Sequence, residues 1–142
     1  MSTLTLPDIA KKMRAIDITM LSTYAENGAI AGRPMSNNAD VDYAGDSYYF
    51  TWEKSHMVED IKRNPQVSLA FQDNGNTSFQ IAVEGEAELI HDKAAFKDHW
   101  KPEFDKWFEK GIDTEGVVMI KVQASRIHYW DGKNDGEIKL KA

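Results

Sequence analysis

Ser55 stands where an aromatic strand gives way to a helical pattern, in the stretch Phe50 to Pro65 that reads FTWEKSHMVEDIKRNP. A serine at a helix start is a good N-cap, because its hydroxyl accepts from a free N–H group of the first turn. The remaining unpaired N–H groups and the helix dipole favour an anion at such a mouth, so the chemistry suggested is phosphate binding. Arg33 is the second candidate. If its strand neighbours the strand at 47–52, its guanidinium reaches the helix mouth and completes a phosphate cradle. The alternative is a surface arginine in a salt bridge, worth little. Gln80 breaks an apolar alternation on the face opposite Phe79, Ile81 and Val83. It is either a solvent-facing residue or an amide that reads a ligand edge, and the pattern leaves both open. Trp130 shares a strand face with the polar His128, which makes its half-buried indole a candidate wall for a flat ring. Trp100, Trp107 and Phe108 read instead as a satellite cluster that packs helices onto a sheet.

Other chemistries find little support. His56, His91, His99 and His128 show no metal-ligand spacing, and no H-E-x-x-H pattern occurs. Neither G-x-S-x-G nor G-x-G-x-x-G is present. The carboxylates are scattered, so no paired acid and base can be picked out. The absence of cysteine excludes disulfides, thiolate catalysis and cysteine metal sites. A net charge of −6 with no basic cluster argues against a nucleic-acid partner. No apolar run has the length of a membrane span, and the first residues lack the apolar core of a signal peptide, so the expectation is a cytoplasmic protein without membrane contact.

Positioning these residues requires a particular set of elements. The 142 residues suit one domain with a real core. Residues 5–16 have the spacing of a short amphipathic helix capped by Thr5. Strands are expected at 17–25 and 29–37, joined through Asn27-Gly28, with Pro34 marking an edge or a bulge. Both faces of the first of these carry apolar residues, which predicts that it is largely covered. A third strand at 47–52 leads into the Ser55 helix, which Pro65 stops. Strands at 66–72 and 77–90 are expected to flank an Asp73-Asn74-Gly75-Asn76 turn, with Gly85 at a bulge or bend. Asp92 is expected to cap a helix running to Trp100, and Pro102 to open another that Gly111 closes. Strands at 117–124, 126–131 and 137–141 follow, the last after an Asp135-Gly136 turn. Hairpin links favour antiparallel pairing, and closure removes sheet edges, so the expected fold is a mainly β (α+β) antiparallel barrel with short peripheral helices.

The order Arg33-Pro34-Met35, Phe50-Thr51, Ser55 with a helix ending Asn64-Pro65, Gln80, then Val83-Glu84-Gly85-Glu86-Ala87 resembles the pyridoxamine 5′-phosphate oxidase-like superfamily of FMN-binding split barrels. Trp100-Lys101-Pro102 through Trp107-Phe108 to Gly111, with Tyr129-Trp130-Asp131, is similar to its general-stress-protein branch. The resemblance runs from about Pro7 to Asp131. It implies an antiparallel split β-barrel and a homodimer with two FMN sites at the interface, each drawing on both chains. It implies that Arg33 binds the FMN phosphate and that Pro34, Met35 and Ser36 run beside the flavin. Phe50 and Thr51 would contact flavin and ribityl, and Ser55, His56 and Met57 would hold the phosphate at the helix mouth. Gln80 would lie beside the ring, with Trp130 close to the site. The chain departs from the family where His56 and Met57 replace a common lysine or arginine, which leaves Arg33 as the main cation and makes Met57→Lys a change expected to tighten FMN. It also lacks the C-terminal extension of true pyridoxamine phosphate oxidases, so vitamin B6 oxidation is not implied. The functions implied are an FMN-dependent oxidoreductase acting on an unidentified small-molecule substrate, or a flavin-binding module that buffers or senses FMN without turnover, or a barrel that has lost its flavin and serves as a dimeric interaction domain.

Overall fold

The computed structural model describes residues 4–36, 43–73 and 79–140. Among them, alternating apolar residues form seven strands: β1 (Ile18–Tyr24), β2 (Ile30–Ser36), β3 (Asp46–Trp52), β4 (Gln66–Gln72), β5 (Phe79–Ile90), β6 (Val117–Asp131) and β7 (Asn134–Lys139). Hydrogen bonds order them β2-β1-β4-β5-β6-β3, with β7 also paired to β6, and every pairing is antiparallel. The sheet curls without closing: β2 and β3 are the two ends of the path and do not pair with each other. This is the split-barrel, α+β arrangement expected. Proline at position 34 is tolerated because β2 pairs only with β1, so one side of its backbone needs no partner. The expected Asp73–Asn76 turn lies mostly outside the described residues.

One face of each strand builds the core. Leu21, Leu69, Val83 and Ile127 meet in register across four strands, each almost fully buried. Helix α1 (Leu6–Arg14) covers this layer with Ile9 and Met13, and helix α2 (His56–Arg63) covers it with Met57 and Ile61. A separate cluster of Phe96, Phe104, Phe108, Val117 and Met119 lies under the insertion between β5 and β6. There α3 (Lys93–Lys97) is shorter than the expected helix to Trp100, and two 3-10 turns, Pro102–Lys106 and Gly111–Asp113, replace a second α-helix. Trp100 and Phe108 pack in that cluster as expected, whereas Trp107 is exposed.

Three expectations change. The strands at 117–124 and 126–131 are one strand, β6, because the β5–β6 register slips between Glu84 and Gly85 and Ser125 is accommodated as a bulge. Gly85 permits this approach, since a Cβ there would overlap the carbonyl oxygen of Gln123. Asp135-Gly136 is not a turn. The chain reverses at Gly132, at a φ of 65°, and Gly136 lies within β7 beneath the Tyr129 ring. The Tyr129 hydroxyl accepts from the Leu4 N–H at 3.0 Å, which ties the start of the described chain to β6. Finally, β1 is covered on one face only: Ile18, Met20 and Tyr24 are 52%, 42% and 44% exposed, beside Ile30 at 72%.

Helix α2 is fixed by more than its apolar face. Ser55 caps it as expected, its Oγ accepting from the Val58 N–H at 3.3 Å. Asp60 turns inward with Met57 and Ile61, and its carboxylate Oδ2 accepts from the buried Thr23 hydroxyl of β1 at 2.8 Å. Gly85→Ala is expected to destabilise by about 1–3 kcal/mol, because backbone rather than a mobile side chain occupies the space. A urea midpoint close to the parent's would show that the bulge tolerates a Cβ. Thr23→Val is expected to cost about 1–3 kcal/mol, because it leaves a buried carboxylate without one donor. Loss of less than about 0.5 kcal/mol in the same titration would mean that the hydroxyl does not hold α2.

Candidate functional site

The residues singled out by sequence fall into three places. Pro34 and Ser36 on β2, Gln80 on β5 and Trp130 on β6 share the outer, exposed face of the sheet. Gln80 and Trp130 are direct cross-strand partners, and Trp130 stacks on His128 with ring centroids 4.1 Å apart at 9°. The His128 ring is held in turn by Asp135, 2.9 Å from its Nε2. β1 and β4 lie between β2 and β5, and Pro34 is level with Ala82, two residues from Gln80, so Pro34 and Gln80 stand roughly 16 Å apart at the usual strand spacing and rise. Within one chain they are two patches rather than one pocket. Between the patches the face is small or apolar, with Met20, Ala70 and Ala82 in one cross-strand row. An open groove of about 320 Å³ on the same face is lined by Ser22, Tyr24, Ile30, Gln66, Ser68 and Glu84, among others.

Phe50, Thr51, Ser55 and His56 form the second place, at the β3–α2 junction. The Phe50 ring faces the insertion and meets Phe96, Trp100 and Phe104 at centroid distances of 5.4, 4.7 and 5.6 Å. His56 is exposed at the first helical position, and Thr51 is half-buried. Glu53 stands in the turn just before the mouth. The hydrogen bond from His91, at 2.9 Å, holds its carboxyl below the usual range, with help from Lys62 at 3.3 Å. The helix mouth thus carries an ionised carboxylate already engaged by His91 and Lys62.

Arg33, Met35 and Met57 form the third group, and all three point inward. Met57 is 4% exposed and belongs to the main core, and Met35 packs against that core. A lysine at position 57 would bury its charge among apolar side chains, so the expectation that Met57→Lys tightens a phosphate does not survive the geometry. The condition set for Arg33 also fails, because β2 and β3 are at opposite ends of the sheet. Arg33 reaches α2 by another route. Its Nη1 donates to the Thr23 hydroxyl at 2.8 Å and to the carbonyls of Ala31 and Leu21 at 3.2 and 3.5 Å. Its Nη2 lies 3.7 Å from Asp60 Oδ2. Asp60 is five residues beyond Ser55, about 7.5 Å along the helix axis, so the guanidinium sits more than a turn from the mouth.

Asp60, Thr23 and Arg63 complete this cluster and were not singled out by sequence. Arg63 Nη2 donates to Asp60 Oδ1 at 2.7 Å. The signal was present: Asp60 follows Met57 by three residues and precedes Ile61, which puts a carboxylate on the apolar side of α2. Two guanidinium groups against one carboxylate leave a single excess positive charge, with Arg33 only 23% exposed in its side chain and Arg63 43%. The donor set here fits a phosphate held by guanidinium, while the mouth of α2 offers backbone N–H groups, His56 and the exposed Lys54 just before the cap. Among the described residues no group of three or more His, Asp or Glu side chains is placed to hold a metal ion, and no helix is long and apolar enough to cross a membrane.

Comparison with known proteins supplies the frame for this geometry. Residues 5–141 match the family model described as pyridoxamine 5′-phosphate oxidase like. The fold is similar to that of a Clostridium acetobutylicum protein related to general stress protein 26 of B. subtilis, of the pyridoxinephosphate oxidase family. That likeness has a TM-score of 0.83 at 22% identity and covers 95% of this chain and 94% of the other. A heme binding protein from Mycobacterium smegmatis is similar with a TM-score of 0.71 at 15% identity, over 96% of this chain and 60% of that one. An F420 reductase is similar with a TM-score of 0.65 at 18% identity, over 82% and 93%. No match was found among curated protein sequences. The fold therefore serves several ligands, and the match over nearly the whole length decides the family: this chain belongs to the pyridoxamine 5′-phosphate oxidase-like family.

Proposed function

We propose that this chain binds a flavin, FMN by preference, as a homodimer, and that it acts as an oxidoreductase on a small-molecule substrate. The observation that carries the reading is the exposed Gln80–Trp130 pair on the same sheet face as Pro34 and Ser36, two patches too far apart to form one site in a single chain. A second copy laid on this face brings the β2 patch of one chain toward the β5–β6 patch of the other. The exposed Ile18, Met20, Tyr24 and Ile30 supply apolar area for that contact. Arg33 is the cation assigned to the flavin phosphate, while Ser55, His56 and the N–H groups of the helix mouth are a separate set of donors more than a turn away along α2.

In this reading each part of the chain has a limited task. A bound flavin supplies the hydride or electron transfer. The Trp130 indole and the Gln80 amide orient the ring, the stack with His128 keeps the indole from rotating, and the apolar sheet face excludes water. Pro34 and Ser36 offer backbone groups on an edge strand, where they are not consumed by a second neighbour. Met35 holds β2 from the inner side, Phe50 ties β3 to the insertion, and Met57 holds the helix.

A second reading, a flavin-binding module without turnover, is favoured by two features. The turn before the helix mouth carries the Glu53 carboxylate, and Arg33 is already engaged by Asp60. Both weaken the phosphate cradle, as a sensor released at low flavin concentration requires. Bleaching of the bound flavin by NADH or NADPH under anaerobic conditions distinguishes the readings, since only the oxidoreductase turns colourless.

The purified chain is expected to quench FMN fluorescence at micromolar protein and to sediment at twice its 16.1 kDa mass. Absence of quenching would end the flavin reading, and a monomer would end the two-chain site. Arg33→Ala is expected to weaken FMN by roughly ten- to hundredfold, more than Gln80→Ala does, because it removes a charge-assisted contact. The reverse order of dissociation constants would reassign the phosphate.

A further inference from the structure

The Asp60 cluster suggests how the anion end of this site is tuned, an inference that rests on the flavin reading above. Three features set the cluster apart from an ordinary surface ion pair. First, the Asp60 residue is 6% exposed, so its charge is compensated by protein rather than by water. Second, each of its oxygens has its own donor: Thr23 on Oδ2 at 2.8 Å and Arg63 on Oδ1 at 2.7 Å. Third, the Thr23 hydroxyl donates to Asp60 and accepts from Arg33 Nη1, so the carboxylate and the guanidinium are linked through one buried oxygen as well as by charge.

A phosphate monoester arriving at Arg33 must share that guanidinium with a fixed negative group. The carboxylate lies 3.7 Å from Nη2, well inside the range where charges act on one another without screening by salt. It lowers the attraction of the site for any further anion, and it cannot move away, because Thr23 and Arg63 hold it. Arg63 acts in the opposite sense. Its charge compensates part of the carboxylate and so releases part of Arg33 for a ligand. The cluster is thus a fixed divider of positive charge between an internal anion and an external one.

We propose that Asp60 is a specificity-determining residue that limits how strongly the site depends on the terminal phosphate of its flavin. In the native chain the excess of one positive charge makes FMN only moderately preferred over riboflavin, which has the same ring and ribityl chain but no phosphate. The effect is specific to the phosphate, because the ring contacts assigned to Gln80 and Trp130 lie on another face of the sheet.

The test is a fluorescence-quenching titration of the full chain with FMN and with riboflavin, read as the ratio of the two dissociation constants. Asp60→Asn keeps the shape and an acceptor for Thr23 while removing the charge. It is expected to raise the preference for FMN at least tenfold, and to make FMN binding more sensitive to salt without a matching change for riboflavin. Arg63→Gln alters a largely exposed side chain and spares the core; it is expected to lower the preference, because Asp60 then draws on Arg33 alone. An unchanged ratio in either variant overturns the proposal. A fall in the ratio for Asp60→Asn also overturns it, since it would make the carboxylate a support that positions Arg33 rather than a competitor. If Asp60→Asn does not fold, Arg63→Gln decides alone. Failure of the native chain to bind either flavin would remove the flavin reading together with this one, whereas binding of both with an unmoved ratio removes only the role of Asp60.

Discussion

A carboxylate cannot be buried alone, and the arrangement around Asp60 follows from that constraint. Leaving the charge without partners in an apolar interior would cost several kcal/mol. The chain meets the requirement by bringing β1, β2 and the last turn of α2 to one point, where Thr23, Arg33 and Arg63 converge. The same contacts tie α2 to β1 on the inner face of the sheet and settle which way Arg33 points. A guanidinium on an edge strand would otherwise turn to solvent. Here it lies along the inner edge of the sheet, directed at the helix. The candidate anion site and the docking of the helix are consequently one structure.

The two faces of the sheet divide the remaining work. The inner face is closed by α1, α2 and its own side chains, and it needs nothing further from outside. The outer face is left with Ile18, Met20, Tyr24, Ile30 and Trp130 in contact with water. Exposed apolar residues are ordinary when scattered, but these share one face of the sheet, Ile18 and Met20 toward the Gln80–Trp130 end and Tyr24 and Ile30 at the other end of β1. The split in the barrel has the same consequence at a larger scale. Because β2 and β3 do not pair, the residues on them remain on separate edges, and any ligand that touches both groups needs help from elsewhere.

Much of the architecture is legible in the sequence alone. The alternation at Val67, Leu69 and Phe71, the edge proline at 34, the Ser55 cap and the bulge at Gly85 all appear where local chemistry places them. Each depends on neighbours close in sequence, or on a backbone conformation only a few residue types allow. The errors are of another kind. Asp135-Gly136 has the composition of a turn, yet Gly136 is needed in a strand because the Tyr129 ring lies over it. The interruption expected at Ser125 is absorbed as a bulge because β5 slips past it. Both depend on a partner strand distant in the chain, and no local pattern encodes that partner.

The candidate site divides along the same line. Sequence by itself determined the family and the residue types available to hold a flat ring and an anion, because motif order and spacing survive whatever the side chains later do. It also determined that no thiolate takes part, since the chain contains no cysteine. Only the tertiary structure decided that Met57 and Met35 face inward and that Gln80 lies beside Trp130. It alone decided that the cation nearest α2 is already shared with Asp60. Orientation and pairing are set by which surfaces must leave water together, and that is a property of the folded chain as a whole.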